Sequence, residues 1–352
     1  MMKTEMIKLA GDVPGNEIEL RVLRFEGKAG SAAPSAYLQS SLHGAELPGQ
    51  AALHFLLPML QQAEADGRVE GSITIVPQAN PIGSAQWLAH QHLGRFEFFS
   101  STNFNRSFPL LDSLDTSSLI APDAPKPLAE RLKAQLLRLA LPHEIVLDLH
   151  CDDESENYLY IHQAFLPEMY DLASALGSTA ILSWDSTADA AFEEACAHPV
   201  LRLPDEERRK RAVTTVEFRG LADVDIDTGK ADAAGLYKYL VHRGVVRDDN
   251  TRLERNFAGP VVPLENVEMI RAPRGGMILF HVDIGAEVQE GDKLVTVVTI
   301  PGDPSGDITL AAPQAGRILT RRSSRYIRRG DDLMKLLGSR RSDGARPGSL
   351  ES

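Results

Sequence analysis

The stretch Ser35-Ala-Tyr-Leu-Gln-Ser-Ser-Leu-His-Gly-Ala-Glu46 places a histidine and a glutamate directly behind an apolar run. Residues 35–42 have the length and composition of a buried β-strand, and the apolar pattern of residues 47–65 predicts a helix. Pro58 inside that pattern predicts a kink or a division of the helix. His43 and Glu46 therefore straddle a junction between a strand and a helix, and Gly44 allows a sharp turn between them.

Strand and helix patterns alternate along the first two thirds of the chain. Residues 72–76, 144–149 and 212–218 are further strand candidates, separated by longer helical patterns. Residues 99–127, rich in Ser, Asp and Pro, predict a long loop before a helix at 128–139. This alternation predicts an α/β fold with a mixed, mostly parallel sheet flanked by helices.

The last quarter of the chain has a different pattern, in which glycine turns separate short strands. An Ala-Pro pair recurs at Ala272 and Ala312, and Gly-Asp-x-Leu recurs at Gly291 and Gly330. This near-repetition resembles the two-fold barrel of lipoyl and biotinyl domains. It predicts a smaller, C-terminal all-β, barrel-like domain.

Carrier domains of that kind need a lysine in the turn between their halves, and the corresponding turn at 301–307 has none. A biotin-type carrier is therefore disfavoured. We predict a catalytic domain at 1–257, a β-barrel-like domain at 258–338 and a disordered tail at 339–352.

The overall composition restricts the class of partner. With 37 Lys and Arg against 49 Asp and Glu, the formal charge of −12 repels nucleic acid and anionic membranes. No apolar run approaches the roughly 18 residues of a membrane span, and residues 1–16 lack the apolar core of a secretory signal. Two cysteines are too few for a disulfide framework. These features predict a cytoplasmic protein, and they are compatible with a homo-oligomer.

His43, Glu46 and His150 are the candidate metal ligands. His150 follows the strand candidate 144–149, and ligands of open α/β sheets bind beyond the carboxyl ends of strands. Two imidazoles and one carboxylate are a donor set of catalytic zinc, with a coordination position left open for water. We expect one Zn²⁺ per chain, with Asp148 or Asp152 as a carboxylate that could orient an imidazole.

Glu217 is the candidate catalytic residue, because an acid at the end of an apolar strand requires an explanation. A glutamate there can take a proton from water and return it to a leaving nitrogen. The alternative is a structural carboxylate paired with Arg219. Asn105 and Arg106, in the long loop, are a candidate clamp for a substrate carboxylate, and Arg95 is a further candidate anion contact.

These elements, in this order, resemble the zinc carboxypeptidase superfamily and, within it, the succinylglutamate desuccinylase/aspartoacylase family. Asn80-Pro81-x-Gly83 and Arg106-x-Phe108-Pro109 support the resemblance, which covers residues 37–244. The family often has an acidic residue or glycine and then leucine before the Asn-Arg pair, where this chain has Asn103-Phe104. The resemblance implies zinc ligands, a carboxylate clamp and a catalytic glutamate at the matching positions, which are His43, Glu46, His150, Asn105, Arg106 and Glu217.

The resemblance implies a zinc-dependent hydrolase that cleaves the amide bond of a small N-acyl amino acid. Two alternatives stay open. One is a zinc carboxypeptidase that acts on peptide C-termini, and the other is a non-catalytic homologue that binds a ligand.

Overall fold

A nine-stranded mixed sheet forms the centre of the first part of the protein in the computed structural model. The structure describes residues 1–166, 168–253, 256–346 and 350. The first twelve strands along the chain are β1 (Lys3–Ala10), β2 (Glu17–Phe25), β3 (Ala36–Ser40), β4 (Ile73–Val76), β5 (Trp87–Leu88), β6 (Gln91–His92), β7 (Ile145–Asp152), β8 (Glu154–Ser155), β9 (Tyr158–His162), β10 (Ala180–Trp184), β11 (Ala212–Gly220) and β12 (Val261–Pro263).

The strand order of the large sheet is β1-β2-β4-β3-β7-β11-β9-β10-β12. Its central run, from β4 through β3 and β7 to β11, is parallel. Strand β2 is antiparallel to β1 and β4, and β9 is antiparallel to β11. The prediction of an α/β fold with a mixed sheet is thus confirmed. Of the remaining short strands, β5 and β6 pair with each other.

Helices cover both faces of the large sheet. They are α1 (Pro48–Ala65), α2 (Pro81–Ser84), α3 (Leu128–Ala140), α4 (Tyr170–Leu176), α5 (Phe192–Val200), α6 (Asp205–Arg208) and α7 (Ile226–His242), with short 3-10 helices at Gly30–Ala32, Gln163–Phe165, Leu264–Asn266 and Pro304–Gly306. In α1, a Cβ atom on Gly49 would lie 2.7 Å from Leu149 Cβ, so the helix approaches β7 closely. The Phe192 ring of α5 lies 6.2 Å from Tyr37, on the opposite face.

Two local expectations differ from the structure. Helix α1 is not divided at Pro58, since Pro58 and His54 both lie on its exposed side, and the predicted kink stays a prediction. On the exposed side, solvent can reach the carbonyl group that loses its donor. Strand β7 extends to Asp152, three residues beyond the predicted end, so His150 lies inside the strand rather than behind it.

The second part of the protein consists of two antiparallel sheets around a small apolar core of its own. The sheets have the orders β13-β20-β18-β15 and β17-β16-β14-β19. Their strands are β13 (Val267–Arg271), β14 (Gly276–Phe280), β15 (Glu287–Val288), β16 (Lys293–Val298), β17 (Ile308–Ala311), β18 (Gly316–Arg321), β19 (Tyr326–Ile327) and β20 (Asp332–Gly338). The antiparallel architecture agrees with the sequence pattern, and closure into a barrel stays a prediction.

The boundary between the two parts is not a simple linker. Strand β12 pairs with β10 at the edge of the large sheet, so the predicted boundary at 257/258 precedes the last strand of that sheet. Strand β8 of the first part pairs with β18 of the second. In the predicted disordered tail, Ser342 donates a hydrogen bond to Glu268 Oε2. Residues 347–349 and 351–352 of that tail lie outside the described residues.

No helix in the described part of the chain combines the length and the apolarity that a membrane span needs.

Candidate metal centre and active site

The central parallel strands bring the predicted site residues together. His43 follows β3, and Glu46 lies two residues before the start of α1. His150 in β7 pairs in register with Glu217 in β11, so these two side chains lie side by side on one face of the sheet. Because β3, β7 and β11 are neighbours, three distant stretches of sequence meet at one edge.

His43, Glu46 and His150 form a compact, buried cluster. Their potential ligand atoms all lie within 4.8 Å of one another. The Nδ1 atom of His43 lies 2.8 Å from Glu46 Oε1, and that of His150 lies 2.7 Å from Glu46 Oε2. The three side chains could hold one metal ion between them.

The contacts of the two Nε2 atoms, which are the histidine nitrogens that do not contact Glu46, are consistent with a metal ion held by the three side chains. His43 Nε2 lies 2.8 Å from Asn103 Oδ1, and His150 Nε2 lies 2.8 Å from Asp148 Oδ2. Both oxygens are acceptors, so each Nε2 carries the proton and donates it. The Nδ1 atoms then direct their lone pairs toward the carboxylate oxygens of Glu46. A cation between them would accept the lone pairs of both nitrogens and of the carboxylate. The donor set therefore fits a divalent metal ion.

The charges in the cluster are strongly coupled. Burial lowers the pKa of His43. Burial also opposes charge on His150, but Asp148 and Glu46 outweigh it and hold the pKa of His150 well above its usual value. For Glu46, burial is outweighed by the two imidazoles, and the pKa lies well below its usual range. Glu46 is therefore ionised at neutral pH, as a metal ligand must be.

Close packing, rather than a left-handed backbone conformation, is the reason for a glycine between His43 and Glu46. A Cβ atom on Gly44 would lie 2.3 Å from the carbonyl carbon of Gly83, so only glycine fits there. Its φ angle is not in the left-handed region, whereas that of Ser41, before the histidine, is 56°. The sharp turn predicted at Gly44 thus lies three residues earlier, at Ser41.

Asp148 is the residue that orients His150. Its Oδ1 accepts a hydrogen bond from Gln39 Nε2, and Gln39 Oε1 accepts one from Tyr37, so a buried chain of hydrogen bonds fixes the carboxylate. Asp152, the other candidate, instead lies 2.5 Å from Lys335 Nζ.

We expect Asp148→Asn to weaken metal affinity about 10- to 100-fold, because partners behind a ligating histidine fix its orientation and raise its basicity. Competition titration against a chelator measures the change. Asp232→Asn is the matched control, since Asp232 is also a buried aspartate but pairs with Arg219 and not with a histidine of the cluster. Equal affinities for Asp148→Asn and the wild type would contradict this role.

Glu217 lies beside the cluster and has an unusual environment. Burial first, and then the charges of Asp152 and Glu46, raise its pKa to about 8. Its Oε2 is buried and has no hydrogen-bond partner among the described residues. Arg219, considered above as a structural partner, pairs with Asp232 instead. The carboxyl group is therefore held where it can exchange a proton rather than in an ion pair with Arg219.

Asn105 and Arg106 lie in the same cavity as Glu217. Asn105 Oδ1 accepts a hydrogen bond from the backbone N–H of Phe192, at the start of α5, which fixes the amide. The Arg106 guanidinium contacts the carbonyl oxygen of Asn105, and its Nε lies 3.4 Å from Asp189 Oδ2. The long loop thus places the planar, cationic guanidinium group of Arg106 in the cavity that the cluster of His43, Glu46 and His150 also lines.

Two other residues of that loop region lie against the cluster. Arg95 Nη1 lies 3.3 Å from both His43 Nδ1 and Glu46 Oε1, so the structure places it beside the ligands themselves. Asn103 accepts hydrogen bonds from His43 Nε2 and from the backbone N–H of Asn105. From the sequence, Asn103 was only a departure from the family pattern. In the structure, Asn103 connects the candidate clamp with the cluster of His43, Glu46 and His150.

The second part of the protein contributes Lys335, which the sequence analysis missed. Its ammonium group contacts Asp152, Tyr158 and Tyr160, beside Glu217. Burial opposes its charge, but Asp152 outweighs burial and holds the pKa of Lys335 well above its usual value. Lys335 lies two residues after the Gly-Asp-x-Leu motif at Gly330, and sequence periodicity could not connect that strand with the site.

Two adjoining cavities open onto the cluster. The smaller, of about 120 Å³, includes Asn105, Arg106 and Glu217 in its lining. The larger, of about 500 Å³, lies between the two parts of the protein, and its apolar lining consists mainly of Leu93, Phe96, Phe98, Leu221, Met269 and Met334. A molecule that contacts the cluster can extend into both cavities.

The catalytic-domain model of the succinylglutamate desuccinylase/aspartoacylase family matches residues 32–243, more than half of the chain. The chain belongs to this family. Its members are desuccinylase- and aspartoacylase-like hydrolases, and the match includes all seven predicted site residues. No curated protein is significantly similar in sequence.

Several solved structures share the fold over nearly the whole chain. A family protein from Shewanella amazonensis is 25% identical, has a TM-score of 0.81, and the match covers 95% of this chain and 98% of that one. One from Shewanella frigidimarina is 23% identical, with a TM-score of 0.79 and coverages of 96% and 98%. The ectoine utilization protein EutE (DoeB) from Ruegeria pomeroyi is 19% identical, with a TM-score of 0.73 and coverages of 95% and 94%. Both parts of the molecule are therefore within the shared architecture.

Proposed function

We propose that the protein is a zinc-dependent amidohydrolase that cleaves the amide bond of an N-acyl amino acid. The observation that carries the proposal is the buried cluster of His43, Glu46 and His150, with Glu217 beside it and Arg106 in the same cavity. Imidazole and carboxylate ligands suit Zn²⁺, and three protein ligands leave a position for water.

Different residues of the chain have different roles in the proposed hydrolysis. A bound zinc ion supplies a Lewis acid that lowers the pKa of water and polarises a carbonyl group. Glu217 accepts the proton of the attacking water and returns it to the leaving nitrogen. Its raised pKa matches this double role, because a carboxyl group that titrates near neutrality both takes up and releases protons. Lys335 and Asp152 neutralise each other next to it.

Arg106 and Asn105 anchor the carboxylate of the substrate. The guanidinium group offers two parallel N–H donors that match the two oxygens of a carboxylate, and the amide of Asn105 adds a neutral donor. A chain with a formal charge of −12 would otherwise repel an anionic substrate. Arg95, beside Glu46, is a further proposed contact for an anion at the cluster.

We expect Arg106→Met to raise KM and to lower kcat/KM about 10- to 100-fold, the effect of losing hydrogen bonds to a charged group. Arg106→Lys should recover part of the loss, because it keeps the charge but not the fork. Steady-state kinetics measure both. Arg202→Met, at an exposed pair with Asp112, is the control and should match the wild type. An unchanged KM in Arg106→Met would contradict the clamp.

The size of the larger cavity favours a small acyl compound over a long peptide. Strand β8 pairs with β18, and Lys335 contacts Asp152, so the second part of the protein covers one side of the site. A carboxypeptidase would need room for an extended chain beyond the scissile bond.

Elemental analysis of the purified protein, combined with a hydrolysis screen, tests the proposed function. The screen contains N-acyl amino acids and short peptides with free C-termini. We expect about one zinc ion per chain and turnover of N-acyl amino acids. Preference for peptides would indicate the carboxypeptidase alternative. Metal binding without turnover of either class would indicate a non-catalytic homologue.

A further inference from the structure

The lining of the smaller cavity contains an unusual concentration of unpaired polar groups. Trp184 at the end of β10, Glu193 at the start of α5, and Thr215 and Glu217 in β11 all line it. Each has a buried polar atom, respectively Nε1, Oε2, Oγ1 and Oε2, without a hydrogen-bond partner in the described part of the chain. Buried polar groups are normally paired, so a bound ligand is the natural source of these partners.

Glu217 has a role in the proposed mechanism, whereas the other three groups do not. The Trp184 indole N–H is only a donor, the Thr215 hydroxyl donates and accepts, and an ionised Glu193 carboxylate only accepts. A ligand that satisfies Trp184 must offer an acceptor, and one that satisfies Glu193 must offer a donor. A single ammonium or a single carboxylate group supplies only one of these.

The charges around the cavity disfavour a second substrate carboxylate there. Among the acids that line it, Asp152 pairs with Lys335, and both oxygens of Glu194 accept backbone N–H groups. Asp189 contacts Arg106. Glu46 and Glu217 belong to the proposed catalytic site, so Glu193 remains, and burial, followed by the charge of Glu194, raises its pKa to about 7. A further anion near these carboxyl groups would be repelled.

The volume of the cavity limits the size of the group. The cavity has a volume of about 120 Å³, and Arg106, which holds the substrate carboxylate, lines it as well, so only a small side chain fits beside that carboxylate. The asparagine side chain is small, and its carboxamide both donates and accepts hydrogen bonds.

We propose that this cavity is the specificity subsite for the side chain of the released amino acid and that it selects a carboxamide, as in an N-acyl-asparagine. The amide NH₂ group donates to Glu193, and the amide oxygen accepts from Trp184 and Thr215. This inference rests on the proposed amidohydrolase function, with the substrate's own carboxylate held at Arg106. It separates this chain from hydrolases that release acidic amino acids.

The test compares three N-acetyl amino acids whose side chains have the same shape, namely those of asparagine, aspartate and leucine, together with N-acetyl-2,4-diaminobutyrate as the cation. We expect kcat/KM for N-acetyl-asparagine to exceed each of the others at least about 10-fold. Preference for the aspartate, leucine or diaminobutyrate compound would overturn the subsite while leaving the hydrolase function intact.

Substitutions at Glu193 and Trp184 test whether these side chains cause the preference for N-acetyl-asparagine. Glu193→Gln replaces the acceptor with an amide that also donates, and it should reduce discrimination between the asparagine and aspartate compounds. Trp184→Phe removes the indole donor and should reduce discrimination between the asparagine and leucine compounds. Tyr239→Phe is the matched control, because it removes a buried hydroxyl of α7 that has no hydrogen-bond partner among the described residues and lies outside the cavity lining. Selectivity ratios that stay at the wild-type value in both cavity variants would refute the assignment.

Calorimetric binding of the free amino acids separates failure of the subsite from failure of the proposed function. If no N-acyl amino acid is hydrolysed, the proposed function is wrong. Asparagine that binds more tightly than aspartate and leucine, with the preference lost in Glu193→Gln, would still support the subsite. Equal binding of all three would overturn it.

Discussion

Glu217→Gln is expected to lower kcat by about 10²- to 10⁴-fold, the usual contribution of a general acid–base residue. The amide has nearly the same shape as the carboxyl group but cannot take a proton from water. Because Glu217 is not one of the proposed ligands, zinc content should stay at the wild-type level, and KM should change little. Steady-state kinetics together with elemental analysis measure the three quantities.

The same variant has a second, independent readout in the metal-free protein. The pKa of Glu217 is raised to about 8 from the usual 4.5, so the folded state holds this proton more tightly than the unfolded chain. Stability from this group is therefore present below pH 4.5 and is lost as pH rises through 8. Chelated Glu217→Gln should gain stability relative to the wild type between pH 5 and pH 9.

Glu144→Gln is the control for a general effect of losing a glutamate in the same sheet. Glu144 precedes β7 at its other end and accepts hydrogen bonds from Ser35. Its loss should affect stability but not kcat. A Glu217→Gln enzyme with wild-type turnover, or one that is destabilised at high pH, would instead indicate a structural carboxylate.

His150→Ala is expected to abolish both zinc binding and turnover. It removes one of three ligands and leaves Glu46 and Asp148 buried without the imidazole between them. A wild-type protein at a metal concentration 1,000 times Kd gains about 4.1 kcal/mol of stability from binding. Thermal unfolding with and without added zinc should therefore show a large rise in Tm for the wild type and little or none for His150→Ala.

A buried histidine outside the cluster provides the matched control. His143 lies at the opposite end of the strand, and its Nε2 contacts Thr74 Oγ1 at 3.0 Å. His143→Ala should be destabilised, yet it should bind zinc and show the metal-dependent rise in Tm. If His150→Ala kept one zinc per chain, the proposed ligand set would be wrong.

Local patterns in the sequence were sufficient for the four central parallel strands of the large sheet and for the individual candidate residues. The strand predicted at 144–149 contains Asp148 and leads directly into His150, and only the structure, in which β7 extends to Asp152, shows that both side chains lie on one face of a strand. The junction at His43 and Glu46 follows from an apolar run that changes period from strand to helix. Such signals depend only on neighbouring residues, so they are visible in one sequence.

Tertiary structure alone decided which of these elements are neighbours. The order β3-β7-β11 and the register that sets His150 beside Glu217 depend on long-range packing, which no local period encodes. Long-range packing also brings Asn103 into contact with His43, and Lys335 of the second part of the chain into contact with Asp152. Sequence thus determined which side chains were available for metal and proton chemistry. Folding determined which of them meet, because a contact between distant residues is a property of the packed sheet.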